Sequence, residues 1–129
     1  MSKTPIETAD APRPGGAYSQ AIVVGSLVFT AGVTPVDPAT GQLVLGGVEA
    51  QTEQVIKNLE AILKAAGSSL DRAVKATVHL ANLERDYVPF NQTYSRLMPD
   101  PKPVRTTVGS ALRNVLVEID LVAERDAEA

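Results

Sequence analysis

Two apolar segments separated by Gly25-Ser26 constrain the fold of this chain more than any other feature of its sequence. The segments Ala21–Val24 and Leu27–Thr30 have the length of short β-strands, and a Gly-X pair between them is suited to a two-residue type II′ turn. The sequence therefore predicts a β-hairpin. Both arms are more continuously apolar than a strand with one hydrated face, which indicates a sheet that is covered on both sides.

Hydrophobic periodicity predicts two helices and further strands after the hairpin. Apolar residues recur at helical spacing through residues 48–66, and Gly67 follows as a residue suited to end that helix. A second helix is predicted at residues 86–97, with Asp86 as its N-cap. Its predicted packing face includes Val88, Asn91 or Gln92, and Leu97. The predicted strands are residues 74–81, 104–110 and 116–124, with residues 43–45 as a short strand inside a loop.

These elements predict one α+β domain, residues 1–129, in which two helices pack on one face of a mixed β-sheet. The hairpin and the last strand place apolar residues on the other face as well. An apolar sheet face left in water would be a large adhesive patch. We therefore expect a homo-oligomer in which the sheets of different copies pack against one another.

Composition and charge exclude several classes of function. The chain has 12 Lys and Arg residues against 15 Asp and Glu residues, a net charge of −3, and no local cluster of basic residues. Nucleic acid is therefore not expected as its main partner. The absence of cysteine excludes thiol nucleophiles and cysteine-based metal sites, and the one histidine, His79, cannot form a histidine-rich metal site. Only carboxylates could then form a metal site, and we predict neither a metal site nor a cofactor.

The sequence also lacks the signals of membrane attachment. Residues 1–14 contain charged residues and no apolar run, unlike a secretory signal. No segment approaches the roughly 20 apolar residues that a membrane-spanning helix requires. We expect a cytoplasmic protein with no membrane partner.

Two ionisable residues, Arg105 and Glu118, lie inside predicted strands. If those strands are neighbours, the two side chains share one face near an end of the sheet. One interpretation is a structural ion pair, or an arginine on a hydrated edge. The other is a site in which the guanidinium holds a carboxylate with its two-pronged fork while the glutamate handles a proton or a water molecule. His79 is interpreted as a packed or surface residue of its strand.

A series of short segments resembles the RidA/YjgF family. They occur in the family's order over nearly the whole chain, from about residue 6 to residue 123. Each segment is a weak signal by itself, but the series is highly specific. The segments are GAYSQA (16–21), PATG (38–41), QTEQ (51–54), AAGSSL (65–70), VKATV (74–78), FNQTY (90–94), PVRTTV (103–108) and VEID (117–120).

This resemblance implies a fold similar to chorismate mutase and a homotrimer with a central barrel of sheets and a small-molecule cleft at each subunit interface. It implies a cofactor-free deaminase that hydrolyses 2-aminoacrylate-type enamines and imines to 2-keto acids and ammonia. The implied catalytic residues are Arg105 on the substrate carboxylate, Glu118 on the hydrolytic water and Tyr18 in the cleft. The implied substrate-binding residues are Asn91, Thr107, Ala31 and Gly32.

The chain departs from the family pattern at several positions around this cleft. Ala17 replaces a usual proline, Ala31 a frequent serine and Thr107 a frequent cysteine, and the loop at residues 112–114 is shortened. These changes leave the shape of the cleft and the preferred substrate open. Because Thr107 cannot act as a thiolate, a covalent cysteine route is excluded. A module that binds a small carboxylate without turnover is the alternative function, and a ribonuclease is the least supported.

Overall fold

Six strands form one mixed sheet in the computed structural model, which describes residues 2–127 of the chain. In spatial order they are β1 (Thr4–Ile6), β2 (Ala21–Val24), β3 (Leu27–Thr30), β8 (Val117–Glu124), β6 (Ala73–Leu80) and β7 (Val104–Gly109). The β6 and β7 strands are parallel, and every other neighbouring pair is antiparallel. A separate two-stranded hairpin joins β4 (Val36–Asp37) to β5 (Gln42–Leu43). The helices are α1 (Val48–Ala65) and α2 (Leu83–Leu97), and a short 3-10 turn, Leu70–Arg72, precedes β6.

The predicted hairpin is present as β2 and β3. Val24 pairs with Leu27 across the turn. Gly25 has a φ of 58°, whereas Ser26 is not among the residues with positive φ, as a type II′ turn requires. The sequence prediction for this hairpin is confirmed.

The first helix also follows its prediction, but the second helix starts earlier and packs through a different face. Asn82, not Asp86, is the N-cap of α2, and its side-chain oxygen accepts a hydrogen bond from the backbone N–H of Arg85 at 3.0 Å. The predicted packing face is wrong at Val88, which is 63% exposed, whereas Leu97 packs against the core as predicted. The earlier start fixes which residues face the core. The buried residues of α2 are Asp86, Phe90, Thr93 and Tyr94.

The two faces of the main sheet differ in what covers them. Both helices pack on one face, which we call the helix face. Its buried strand residues include Val28, Ala76, Val78, Leu80, Val117, Ile119, Leu121 and Ala123. The alternate strand residues form the opposite face, which we call the open face. Its residues include Ile22, Val24, Leu27, Phe29, Val122, Lys75, Thr77, His79, Glu118 and Asp120.

Apolar side chains remain exposed on the open face, as the sequence predicts. Phe29 is 43% exposed and Leu27 is 37% exposed, and both lie on β3 beside the last strand. An isolated chain thus presents an apolar region that association would cover. The trimeric state itself stays a prediction.

Two features of the fold have weak local signals in the sequence. The β1 strand extends the sheet by pairing Thr4 with Val23 and Ile6 with Ala21. The short strand expected at residues 43–45 begins one residue earlier, at Gln42, and pairs with β4. Both strands form because a partner strand supplies their hydrogen bonds, which local periodicity does not report.

Candidate functional site

Arg105 and Glu118 do not lie together within one chain. The β6 strand separates β7 from β8, so the two strands that carry these residues are not neighbours. Arg105 is in register with the buried Ala76, and Glu118 is in register with His79 on the open face. Arg105 therefore points to the helix face and Glu118 to the open face. The expectation that they share a face is wrong, and so is the interpretation of a structural ion pair between them in one chain.

Chain connectivity explains this separation. The chain passes from β6 through α2 and returns as β7, parallel to β6 at the edge of the sheet. After the loop at residues 110–116 it returns again as β8, antiparallel to β6 on its other side. Arg105 and Glu118 thus lie in different parts of the molecule.

Arg105 lies against three aromatic rings of α2. Its guanidinium carbon is 4.8 Å from the ring centroid of Tyr94, 5.4 Å from that of Phe90 and 5.8 Å from that of Tyr87. The Nη2 atom donates a hydrogen bond of 3.0 Å to the hydroxyl of Tyr87. Within residues 2–127, Arg105 forms no salt bridge with a carboxylate. A guanidinium has five N–H donors, so most of them are available to a ligand.

The rings and the cation influence one another electrostatically. Burial raises the pKa of the Tyr94 hydroxyl, and the positive charge of Arg105 partly opposes that rise. Attraction between a cation and the faces of aromatic rings holds the guanidinium without neutralising its charge. Aromatic rings therefore hold the Arg105 guanidinium in place, and no carboxylate of the described residues neutralises its charge. Such a cation suits a carboxylate ligand.

Thr107 lies near Arg105 on β7, and Asn91 lies next to Phe90 on α2. Thr107 is two residues beyond Arg105 on β7 and points to the same face, and its buried hydroxyl has no hydrogen-bond partner in the described part of the chain. Asn91 is half-buried and follows Phe90 on α2. We call Arg105, Thr107 and the three aromatic residues the arginine half-site.

The Glu118 carboxylate lies over Gly32. A β-carbon at residue 32 would overlap Oε1 of Glu118 and would lie 3.0 Å from its Cδ atom. Val33 and Ile119 form an isolated bridge with hydrogen bonds of 2.8 and 3.2 Å, which holds the Gly32 segment against β8. Only glycine leaves this space to the carboxylate.

Tyr18, Ala31 and Gly32 line one cleft within a single chain. The cleft is small, with a volume of about 30 Å³, and Arg13 and Gln20 also line it. Tyr18 is 54% exposed, and its hydroxyl accepts a hydrogen bond of 3.0 Å from the backbone N–H of Gly15. We call Glu118, Gly32, Ala31 and Tyr18 the glutamate half-site.

Two buried amides that were not predicted as functional hold the walls of this cleft. The Gln20 Nε2 atom donates to the carbonyls of Thr8 and Pro12 at 3.0 and 2.9 Å, which ties the N-terminal segment across the cleft. The Asn58 Nδ2 atom donates to the carbonyls of Thr34 and Val36 at 3.0 and 2.8 Å. Both amides are at least 96% buried and hydrogen-bonded, as buried polar groups require. A polar residue inside an otherwise apolar pattern was the available signal for them.

Charged groups crowd the open face around Glu118. Asp120 lies two residues along β8 and is in register with Thr77. Burial raises the pKa of the Asp120 carboxyl, while the nearby His79 and Lys75 partly lower it. The Nδ1 atom of His79 lies 2.7 Å from the hydroxyl of Ser110. His79 is half-buried and hydrogen-bonded, in agreement with its interpretation as a packed residue.

Neither a metal cluster nor a membrane span is found in the described residues. Among residues 2–127, His, Asp and Glu side chains form no group of three that could hold a metal ion. In the same range, no helix is both long enough and apolar enough to cross a membrane.

Two helices on one face of a six-stranded mixed sheet define an α+β fold shared with solved L-PSP and RidA structures. The family model described as Endoribonuclease L-PSP matches residues 8–125. The chain belongs to this family, which is the RidA/YjgF family. The family and the fold expected from the sequence are thereby confirmed.

Known relatives match nearly the full length of the chain. A RutC family protein of Pyrococcus abyssi is 43% identical over 128 residues, which make up 98% of this chain and 100% of the relative. Reactive Intermediate Deaminase A, chloroplastic, of Arabidopsis thaliana is 42% identical over 125 residues, 95% of this chain and 66% of the relative. The crystal structure of E. coli TdcF with bound serine superposes with a TM-score of 0.89 at 34% identity, covering 95% of this chain and 99% of TdcF.

Proposed function

We propose that this protein is a cofactor-free deaminase that hydrolyses 2-aminoacrylate-type imino acids to 2-keto acids and ammonia. The observation that carries the proposal is the uncompensated Arg105, which lies on aromatic rings and has no carboxylate partner within residues 2–127. Two comparisons support it. The Arabidopsis relative is named a reactive intermediate deaminase. Serine, bound in TdcF, carries its carboxylate and its nitrogen on the same carbon, as a 2-imino acid does.

The complete site is proposed to form between two copies of the chain. Within one chain, Arg105 and Glu118 point to opposite faces of the sheet, so neither half-site completes the other. The apolar open face, where Phe29 is 43% exposed, favours packing of copies against one another. A homotrimer would bring the arginine half-site at the edge strand of one copy to the glutamate half-site of the next. A cytoplasmic location belongs to the same proposal.

In the proposed reaction, Arg105 holds the substrate carboxylate after the enamine has tautomerised to the imine. Bidentate binding orients the C=N carbon towards a water molecule at Glu118. Glu118 accepts a proton from this water as its oxygen bonds to the carbon. Glu118 returns this proton to the nitrogen, which gives the carbinolamine. Glu118 then takes the hydroxyl proton of the carbinolamine and passes it to the same nitrogen as the C–N bond breaks, so that the keto acid and ammonia are released. Positioning of this kind can replace an entropic cost of about 7–11 kcal/mol at best.

The other predicted residues have supporting roles in this proposal. Tyr18, Ala31 and Gly32 shape a cleft, and Gly32 also lies under the Glu118 carboxylate. The buried Thr107 hydroxyl has no partner and can donate a hydrogen bond to the carboxylate beside Arg105. Asn91 supports the arginine half-site from α2.

The alternative function is a module that binds a 2-keto acid or a similar carboxylate without turnover. It needs the arginine half-site but not Glu118, so one substitution separates the two functions. A ribonuclease is the least supported candidate, because the net charge of −3 opposes binding of phosphates.

The decisive experiment generates 2-aminoacrylate enzymatically in the presence of semicarbazide and asks whether the protein diverts it from the trap to pyruvate. Glu118→Gln should lower this activity by about 10²–10⁴-fold, the usual contribution of a positioned general base. Pyruvate binding, measured by calorimetry, should persist. The matched control is Glu124→Gln, which removes a carboxylate from the same strand and should retain the activity.

Light scattering decides whether each variant keeps the oligomeric state of the parent. Pyruvate binding without any diversion of 2-aminoacrylate by the parent would favour the binding module. Full activity in an intact Glu118→Gln protein would contradict the role proposed for Glu118.

A further inference from the structure

One phenol on α2, that of Tyr87, makes a directed contact with Arg105. Its hydroxyl accepts the 3.0 Å hydrogen bond from Nη2 of Arg105, and its ring centroid lies 5.8 Å from the guanidinium carbon. We infer that Tyr87 is a positioning residue that sets the orientation of the Arg105 fork for the substrate carboxylate. The inference rests on the proposed function of Arg105.

The other two rings under Arg105 contact the guanidinium but make no hydrogen bond that would fix its orientation. Phe90 has no polar atom on its ring, and the buried hydroxyl of Tyr94 has no hydrogen-bond partner within residues 2–127. Attraction between a cation and a ring face changes little when the planar guanidinium turns within its own plane. A hydrogen bond to one nitrogen prevents that rotation. Tyr87 alone among the three rings therefore fixes which N–H groups remain available to the ligand.

Orientation matters because a guanidinium binds a carboxylate through two parallel N–H bonds. A fork that rotates loses one of these bonds, together with the geometric specificity that the pair provides. One N–H group of Nη2 is already hydrogen-bonded to the Tyr87 hydroxyl, so this group does not compete with the others for the ligand. Tyr87 is 38% exposed, so it stands at the border between the aromatic rings and solvent, where a ligand approaches.

The first turn of α2 is braced in a way that keeps Tyr87 in place. Asn82 caps the helix through Arg85, and Arg85 makes side-chain hydrogen bonds of 2.8 and 3.0 Å to the carboxylate of Asp86. Asp86 is buried, directly before Tyr87 in the chain. Interaction with this carboxylate raises the pKa of Arg85. An N-cap and an ion pair thus hold the first turn of the helix from which Tyr87 projects.

The test is Tyr87→Phe, which keeps the ring and removes the hydroxyl. We expect the dissociation constants of pyruvate and 2-oxobutyrate to rise about 10-fold, the order expected for a hydrogen bond to a charged group. The KM for the imine should rise in parallel while kcat stays within about twofold, because Arg105 holds the carboxylate equally before and during the reaction. Tyr94→Phe is the matched comparison and should have a smaller effect, since the hydroxyl it removes makes no hydrogen bond.

A double-mutant cycle tests whether Tyr87 acts through Arg105. When Arg105 is already Ala, adding Tyr87→Phe should cause no further loss of keto-acid affinity. An additional loss in that background would assign the hydroxyl to the ligand itself and would overturn the positioning role. Nitrogen-15 NMR of the Arg105 guanidinium in the ligand-free protein provides a second readout. Its separate N–H signals should merge in Tyr87→Phe, because the hydrogen bond no longer restrains rotation about the Nε–Cζ bond.

These measurements also separate a failure of the inference from a failure of the proposed function. If Arg105→Ala binds keto acids as tightly as the parent, the carboxylate role of Arg105 is wrong, and the positioning role of Tyr87 is wrong with it. If Arg105→Ala loses binding but Tyr87→Phe changes neither affinity nor the guanidinium signals, only the inference about Tyr87 is overturned. Unchanged thermal unfolding of Tyr87→Phe would show that lost affinity does not come from lost structure.

Discussion

Arg105 and Glu118 point away from each other across the same sheet, with the whole of β6 between their strands. Arg105 lies on the helix face over aromatic rings, and Glu118 lies on the open face over Gly32. If both act on one substrate, they must come from different copies of the chain. That condition can be tested directly by mixing variants.

Co-expression of Arg105→Ala chains with Glu118→Gln chains should restore deaminase activity that neither variant has alone. In a mixed trimer, a site that takes its arginine from one variant and its glutamate from the other is intact. Random assembly should leave about one quarter of all sites intact, so we expect about one quarter of the parent activity. Native mass spectrometry of differently tagged chains checks that mixed trimers are present.

The control for this experiment is a mixture of the two variants purified separately, in which subunits have not exchanged. Its activity should equal the sum of the two single variants. Mixed trimers that also show only this sum would refute a site shared between copies.

Arg105→Lys should weaken binding of 2-keto acids by about 10-fold or more although it conserves the charge. Lysine lacks the planar fork for bidentate contact and packs less well against the rings of Tyr87, Phe90 and Tyr94. Arg105→Ala should weaken binding further. Calorimetry with pyruvate measures both, and equal affinity in the lysine variant and the parent would show that only the charge matters.

Gly32→Ala should remove activity while leaving the fold intact. The new methyl group would overlap the end of the Glu118 side chain, which can rotate away at small cost. Turnover should therefore fall towards the level of Glu118→Gln, with pyruvate binding and thermal unfolding close to those of the parent. Gly109→Ala is the matched control, because its methyl group would meet Leu83 at an ordinary 3.4 Å. Loss of activity in both alanine variants would contradict a specific effect on Glu118.

Asp120→Asn should stabilise the protein near neutral pH. Burial raises the pKa of the Asp120 carboxyl above its ordinary value of 3.8, so the folded protein binds this proton more readily than the unfolded chain does. The ionised form consequently destabilises the fold, and this penalty grows as the pH rises through the folded pKa. Urea unfolding at one protein concentration should show the largest gain for Asp120→Asn at pH 7 and a smaller gain as the pH falls towards 4. A gain that increases on acidification would refute this assignment.

Local sequence determined the elements of this fold. The hairpin at Gly25-Ser26, the α1 helix and the last strand follow from turn chemistry and from the periods of apolar residues, which depend on neighbours a few positions apart. The same patterns placed Arg105 and Glu118 inside strands. They did not identify the start of α2, because Asn82 and Asp86 are both suitable caps and packing of the helix selects between them.

The aromatic residues under Arg105 have a signal in the sequence, although the predicted packing face does not include them. Tyr87, Phe90 and Tyr94 recur at intervals of three and four, which places them along one side of a helix. A helix that begins at residue 86 instead places Val88 and Leu97 on the packing face, and of these two only Leu97 packs against the core. The structure locates the three rings beneath the cation.

Only the tertiary structure decided which face each charged residue occupies. Side chains alternate along a strand, so the face depends on the register with the neighbouring strand, and a shift of one residue would move every side chain to the other side. Strand order depends on the path of the chain through α2, which places β7 and β8 on opposite sides of β6. The local periodicity of β7 or β8 contains neither the strand register nor the strand order. The sequence by itself therefore determined that this protein carries an arginine and a glutamate in its sheet, and long-range strand pairing decided that one chain cannot bring them together.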